Sequence, residues 1–397
     1  SHIHFILINP PNLMTSPIPS HTACCLVQPL FAALLKRLCR PAGLMVVLLS
    51  AAFSVSANAQ TVRGLKDAYR ESFDIGVGLS VKNVHQQEQY ELVTANFSTA
   101  TAENAMKPAS VHPREGVYTW EGADRIADFC RRHGMKMRGH CLCWHNQFAD
   151  WMFTDSLGRE VSKEVFYKRL REHIHAVVNR YKDVVYAWDV VNEAIADGPA
   201  GIPCPYRDTR HYRLCGDEFI AKAFIFAHEA DPNALLFYND YSTVDPAKRD
   251  RITAMIRKMR RQNVPIHGLG MQAHYNIHWP DTTLIEAAID SFAQVVDVIH
   301  ITELDVRVNH EHGGSLNFSQ GQSGTPDQQT LARFNNQYAN LFRLFRRRSD
   351  IIGNVTFWNL SDRDSWLGAD NFPLLIDRNY KPKPAYYIVR DLAGEKQ

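Results

Sequence analysis

Strong charge of one sign is missing from this chain of 397 residues: 44 lysines and arginines stand against 42 aspartates and glutamates, a formal net charge of +2. A basic footprint for nucleic acid and a field suited to acidic substrates are both left out by that balance, and a neutral polymer fits better. No G-x-G-x-x-G follows the first β-rich run, so the phosphate turn of a doubly wound nucleotide-binding sheet is not there. The cysteines form no paired C-x-x-C motifs, which removes the usual frame for structural zinc. No repeat of solenoid length and no low-complexity linker divides the chain. The apolar run from Ala42 to Val55 is too short for a confident membrane span.

That run has another reading. Lys36, Arg37 and Arg40 precede it and the small-residue end Ala57-Asn58-Ala59 follows, the three parts of a secretory signal with cleavage after Ala59. A membrane anchor is the alternative. Residues 1–59 are thus expected to be leader and signal, with no fold assigned to 1–35, and residues 60–397 one domain exported to the periplasm or beyond, without stable membrane association. Cleavage leaves Cys130, Cys141, Cys143, Cys204 and Cys215. In an oxidising compartment Cys204 and Cys215, bracketing one loop, are the expected disulfide. Cys141 and Cys143 read as buried thiols sharing one strand face, and Cys130 as helix core.

Hydrophobic residues make up 45% of the sequence, enough for a large core. Short β-rich runs fall at 73–80, 97–104, 135–144, 184–193, 235–240, 268–275, 298–306 and 355–361, with helical periods between them. In 162–181 the residues Val165, Phe166, Leu170, Ile174, Val177, Val178 and Tyr181 follow three- and four-residue steps, which predicts one buried helix face. Asp245-Pro246 predicts an N-cap with proline at the first helical position, followed by an apolar stripe of Ile252, Met255, Ile256 and Met259. Eight such alternations suit a single α/β domain closed as a (β/α)8 TIM barrel rather than an open sheet.

Barrel chemistry gathers at the C-terminal ends of the strands. Polar residues stand there on successive runs: Glu103, Asn104 and Lys107; His140, Trp144 and Gln147; Asn192 and Glu193; Asn239 and Asp240; Gln272 and His274; Glu303 and Asp305; then Trp358 and Trp366. Glu193 and Glu303 matter most. Each closes a Val- or Ile-rich run, and a charged group seldom ends there unless something pairs with it or uses it. Two carboxylates brought together by a fold are the minimal machinery for breaking a glycosidic bond. His274 and Asp305 are placed to form a hydrogen-bond chain with Glu303, although His274 alone would read as a core histidine. Trp144, Trp358 and Trp366, beside Gln147, Asn359 and Asp362, suit a cleft wall on which sugar faces stack, with core packing as the alternative. Tyr241 fits the leaving-group side or the core equally. The run His310-Glu311-His312 lacks a third spaced ligand, so no metal and no cofactor is expected.

The runs Glu103-Asn104-Ala105-Met106-Lys107-Pro108, Gly139-His140 to Gln147, Trp188 to Glu193, Tyr238-Asn239-Asp240-Tyr241, Gln272-Ala273-His274, Ile301-Thr302-Glu303-Leu304-Asp305 and Phe357-Trp358 through Ser365-Trp366 occur in this order. Together they make the chain resemble the endo-β-1,4-xylanases of glycoside hydrolase family 10. The resemblance implies a (β/α)8 barrel, xylan and xylo-oligosaccharides as substrate, and retention of anomeric configuration. It implies Glu193 as acid/base and Glu303 as nucleophile. It also implies that Glu103, Asn104, Lys107, His140, Trp144, Gln147, Asn192, Gln272, His274, Trp358 and Trp366 bind sugar on the non-reducing side of the cut. Cys141, Cys143, Asn146 and Asn359 depart from the family's usual residues; the two cysteines are expected to face outward, towards the helices. The loop 198–216 bears on aglycone preference. A monomer is expected. The rival readings are a β-1,4-glucan hydrolase, a non-catalytic glycan-binding barrel and, more remotely, a metal-dependent hydrolase.

Overall fold

The computed structural model describes residues 64–308 and 326–395. The expected leader and signal and the His310-Glu311-His312 run lie outside the described residues. Nine strands are present among them: β1 (Asp74–Leu79), β2 (Thr99–Ala102), β3 (Lys136–Trp144), β4 (Val185–Asn192), β5 (Leu235–Asp240), β6 (Gly268–Met271), β7 (His274–Asn276), β8 (Val298–Arg307) and β9 (Ile352–Phe357). Every pairing between these strands is parallel. The ladder runs β1 to β6 in order, β6 joins β8, β8 joins β9, and β9 returns to β1, which closes the barrel. The short β7 continues the sixth position alongside β8. The expected (β/α)8 barrel is the observed fold.

One principal helix follows each strand position: α1 (Gln87–Asn96), α2 (Glu121–Arg132), α3 (Lys163–Tyr181), α4 (Glu218–Ala230), α5 (Pro246–Arg261), α6 (Thr282–Ala293), α7 (Gln328–Arg347) and α8 (Pro384–Leu392). Their starts are written locally. Ser162 accepts the amide of Val165 at the head of α3, and Asp245 accepts that of Lys248 ahead of Pro246 in α5. Phe166, Leu170, Ile174, Val177, Val178 and Tyr181 are buried as the period predicts, whereas Val165 is exposed. It lies off the buried stripe, which begins with Phe166 in the same turn and runs through Leu170, His173 and Ile174.

Two strand readings need adjustment. The run 268–275 is broken at Gln272-Ala273, where Ala273 has φ +61°, so the sixth position is two short strands. The last strand starts at Ile352, earlier than its Val- and Phe-rich end suggested, and stops before Trp358.

Inside the barrel lies a polar layer. The Arg138 guanidinium on β3 clasps Asp189 on β4, donates at 2.6 Å to His300 Nδ1 and stacks 4.3 Å from the Phe237 ring. Arg138 and Asp189 are each about 1% exposed, so neither ion is tolerable there without the other. Burial and the adjacent Arg138 charge hold His300 well below its ordinary pKa, which leaves a neutral acceptor. Above this layer, towards the strand C-termini, the site opens.

Candidate active site

Glu303 is buried within β8, and its surroundings hold it as an anion. Burial pushes the carboxyl up, but the hydrogen bond from His274 and the charges of His140 and His274 outweigh it, so the net shift is downward. His274 Nε2 lies 3.1 Å from Glu303 Oε2, and its Nδ1 lies 2.8 Å from Asp305 Oδ2. Burial disfavours a charged ring, yet Asp305 and Glu303 on its two nitrogens raise its pKa to about 10. The ring is therefore an imidazolium donating to a carboxylate on each side. Trp366 Nε1 also donates to Asp305 Oδ2, at 2.9 Å. His140 Nδ1 is 2.9 Å from Asp189 Oδ2, linking the polar layer to the underside of the site.

Glu193 follows the last residue of β4 in the left-handed region, φ +58°. Its carboxyl is met by neutral donors: Trp144 Nε1 at 2.9 Å on Oε2, and Gln272 Nε2 at 2.9 Å and Asn192 Nδ2 at 3.2 Å on Oε1. Asn239 joins the two glutamates. Its Nδ2 donates to Glu303 Oε1 at 2.8 Å and to Asn192 Oδ1 at 2.9 Å, while its Oδ1 accepts Thr302 Oγ1 at 2.6 Å. Glu193 and Glu303, 110 positions apart in sequence (303 less 193), thus belong to one amide network at one end of the barrel.

On one side stand Glu103, Asn104 and Lys107. Lys107 Nζ donates to Asn104 Oδ1 at 2.9 Å and sits 5.0 Å from the centre of the Trp144 ring. Burial raises the Glu103 carboxyl, against hydrogen bonding from Asn359 and the charge of Lys107. Trp358 is buried edge-on to His140, with ring centres 5.4 Å apart, and Trp366 is 39% exposed beside His274. Gln147 is exposed at φ +46°, and its carbonyl accepts the amide of Ala109.

The opposite side is built from ions. Lys248 Nζ lies 2.8 Å from Asp240 Oδ1 and 2.8 Å from Asp197 Oδ1. Tyr241 donates its hydroxyl to Asp197 and accepts from Arg207 Nη2 at 2.7 Å. Burial lowers His145, in the same cluster, to about 4, with the Arg207 charge acting in the same direction.

Several expectations change. Cys204 and Cys215 are free thiols: Cys204 Sγ meets the Tyr212 hydroxyl at 3.2 Å, while Cys215 is buried at the end of the short helix Arg210–Cys215. The bracketing loop does not turn their sulfurs together. Cys141 and Cys143 do not share an outward face. The β3–β4 register slips between His140 and Cys143, so strict alternation fails; Cys143 packs in the hydrophobic core cluster, whereas Cys141 is buried outside that cluster. Asn239 is not on the cleft wall. It is wholly buried beneath the glutamates, with its amide committed on both ends. Asp362 is likewise buried, 2.9 Å from Lys383 Nζ, and does not mark a cleft.

Sequence reasoning passed over Arg138, Asp189, Thr302, Gly270, Asp197, Arg207 and Lys248. Asp189 was findable, since it is one more charge inside the Val-rich run that ends at Glu193. Gly270 carried no sequence signal. A Cβ there would lie 2.2 Å from Asn239 Oδ1, so only glycine leaves room for the bridging amide. Among the described residues no group of three or more His, Cys, Asp or Glu side chains is arranged to hold a metal, and no helix is long and apolar enough to cross a membrane.

A closed parallel barrel with two buried carboxylates linked at the C-terminal ends of its strands defines a barrel glycoside hydrolase. The chain belongs to glycosyl hydrolase family 10, whose model matches residues 64–392. It is 55% identical over 365 residues to an endo-1,4-beta-xylanase/feruloyl esterase of Xylanibacter ruminicola, covering 88% of this chain and 50% of that relative. It is 41% identical to endo-1,4-beta-xylanase B of Paenibacillus barcinonensis, covering 83% of this chain and 98% of that one. Among solved structures, a psychrophilic family 10 endo-beta-1,4-xylanase superposes with a TM-score of 0.78 at 51% identity, covering 83% of this chain and 99% of that one.

Proposed function

We propose that the protein cleaves β-1,4-xylosidic bonds within xylan with retention of configuration, using Glu303 as nucleophile and Glu193 as acid/base. The observation that carries this reading is the amide network joining the two carboxyls, one of which is held as an anion by His274. Glu303 attacks the anomeric carbon of a xylosyl unit while Glu193 protonates the departing glycosidic oxygen, giving a covalent xylosyl-enzyme. Glu193, now a carboxylate, takes a proton from the water that releases the sugar. A retaining pair stands about 5–5.5 Å apart, whereas an inverting pair stands about 6.5–9.5 Å apart.

Among the described residues the hydrogen bonds to the Glu193 carboxyl come from an indole and two amides, neutral donors that suit a group taking and giving a proton in each cycle. Asn192 Nδ2 has a second hydrogen to offer the sugar 2-hydroxyl, a contact that strengthens as positive charge develops. Lys107, Glu103 and Asn104 read hydroxyls further from the cut, and Trp144, Trp358 and Trp366 form the stacking surfaces. Tyr241 stands on the leaving-group side. The segment Lys36–Ala59 is read as an export signal, leaving a monomeric mature domain.

The test is hydrolysis of xylan and carboxymethyl-cellulose in parallel, with the anomer of the first product followed by NMR. Release of β-anomer from xylan, with little action on the cellulose derivative, is expected; α-anomer first, or preference for the glucan, overturns the reading.

A further inference from the structure

Glu193 is a non-glycine residue in the left-handed region, a conformation disfavoured unless its surroundings impose it. Two backbone bonds do so. Its amide donates to the Asn239 carbonyl at 2.9 Å, and its carbonyl accepts Arg207 Nε at 2.9 Å. Arg207 comes from the loop after β4, which folds back on itself: its amide donates to Ala194 O, and Ile195 pairs antiparallel with Tyr206. The same guanidinium reaches Ile195 O at 3.4 Å, Asp197 Oδ2 at 3.1 Å and the Tyr241 hydroxyl at 2.7 Å. One planar fork therefore spans the acid/base backbone and the ion cluster of the leaving-group side.

We infer that Arg207 is a positioning residue for Glu193: by holding its carbonyl, it fixes the left-handed turn that aims the carboxyl at the glycosidic oxygen. An ordinary surface ion pair with Asp197 would leave the acid/base indifferent to its loss. Here the guanidinium Nε is committed to the main chain of the acid/base itself. Without it, the backbone is free to relax to negative φ, which swings Cβ and pulls the carboxyl against Trp144 and Gln272. A planar fork suits the site, since Nε and Nη2 are separate donors that reach acceptors not converging on one point, whereas an ammonium's donors all leave a single nitrogen.

The inference rests on Glu193 being the acid/base, and the experiment separates the two. Arg207→Met and Glu193→Ala are compared with the parent on xylotriose and on 2,4-dinitrophenyl β-xylobioside, whose phenolate departs without a proton. Active sites are counted by trapping with a 2-deoxy-2-fluoro xylobioside, so unfolded protein does not enter the rates. For Arg207→Met, kcat/KM on xylotriose should fall about 10- to 100-fold, the scale of a misplaced catalytic group, while that on the dinitrophenyl substrate stays within about threefold. Equal losses on both substrates, or no loss on either, overturn the inference. If Arg207→Met does not fold, Arg207→Lys is judged by the same criterion. If Glu193→Ala itself lacks leaving-group selectivity, the acid/base reading fails; if it shows selectivity and the Arg207 variant does not, only the role of Arg207 fails.

Discussion

The two glutamates are held by different chemistry. Glu303 touches an imidazolium, which is backed by a second carboxylate, Asp305. Among the described residues, the hydrogen-bond partners of the Glu193 carboxyl are an indole and two amides. A cation beside a buried carboxylate stabilises one protonation state and opposes the other. Neutral dipoles orient a carboxyl while opposing a proton less. The barrel thus sets Glu303 against a cation and Glu193 among neutral donors.

The sharpest way to break this comparison is to remove each carboxylate and let azide replace it. Glu303→Ala should lose about 10⁴-fold or more in turnover of aryl xylobiosides, and azide should restore activity by attacking from the vacated side, giving α-xylobiosyl azide. Glu193→Ala should lose about 10²- to 10⁴-fold on xylan and far less on activated aryl glycosides; azide should then attack the covalent intermediate from the other face, giving the β-azide. NMR of the two products reads the result, and the same anomer from both variants would break the assignment of roles.

The next test concerns the cation. His274→Gln keeps a hydrogen-bonding side chain but removes the charge, so Glu303 should be harder to ionise and the acid limb of kcat/KM should move up by about one pH unit or more. Stability carries a matching sign. The His274 pKa is raised from 6.5 to about 10, so the folded state binds the extra proton between those values. The stabilisation is full below 6.5, declines as pH rises and is gone above about 10. Melting temperature measured from pH 6 to 10.5 should therefore fall less steeply for His274→Gln than for the parent. Parallel curves would mean that the ring is not charged.

The side lined by Glu103, Lys107 and His140 was largely legible in the sequence, and the side built from Asp197, Arg207 and Lys248 was not. Glu103, Lys107 and Gln272 stand just beyond strand ends, and His140, His274, Glu303 and Asp305 lie within β3, β7 and β8, where period-two patterning and the barrel rule together point them at the site. Arg207 and Asp197 lie in a loop and Lys248 in the first turn of α5; their meeting is set by how the chain folds back, which no local period encodes. Cys204 and Cys215 misled because proximity in sequence says nothing about the direction of their sulfurs. Asn239 was found by position but misplaced in depth. A strand-end amide looks the same whether it faces substrate or lies beneath two carboxylates.

Asn239 offers a smaller test of whether the glutamates depend on one another. Asn239→Leu leaves Thr302 Oγ1 and Asn192 Oδ1 each short of a partner and Glu303 without one donor. A destabilisation of about 1–3 kcal/mol is expected from the stranded polar groups, read by urea titration, together with lower kcat on xylan. Unchanged kcat would show that each carboxyl is held independently.

The smallest change reaches the same bridge from behind. Gly270 sits on β6 in register with Asn239 on β5, and an added Cβ would lie 2.2 Å from Asn239 Oδ1 and 2.9 Å from Thr302 Cγ2. Neither neighbour is the far end of a long flexible chain, and Asn239 is committed at both ends of its amide, so relief requires moving it. Gly270→Ala should cost about 1–3 kcal/mol by overpacking. Because the displaced group is the link between the glutamates, kcat should fall as well, with KM little changed. The discriminating pair is Gly270→Ala alone and combined with Asn239→Leu: if the alanine acts only by pushing Asn239, the double variant's kcat should match that of Asn239→Leu. Simple addition of the two losses would place the damage in the strand rather than in the bridge.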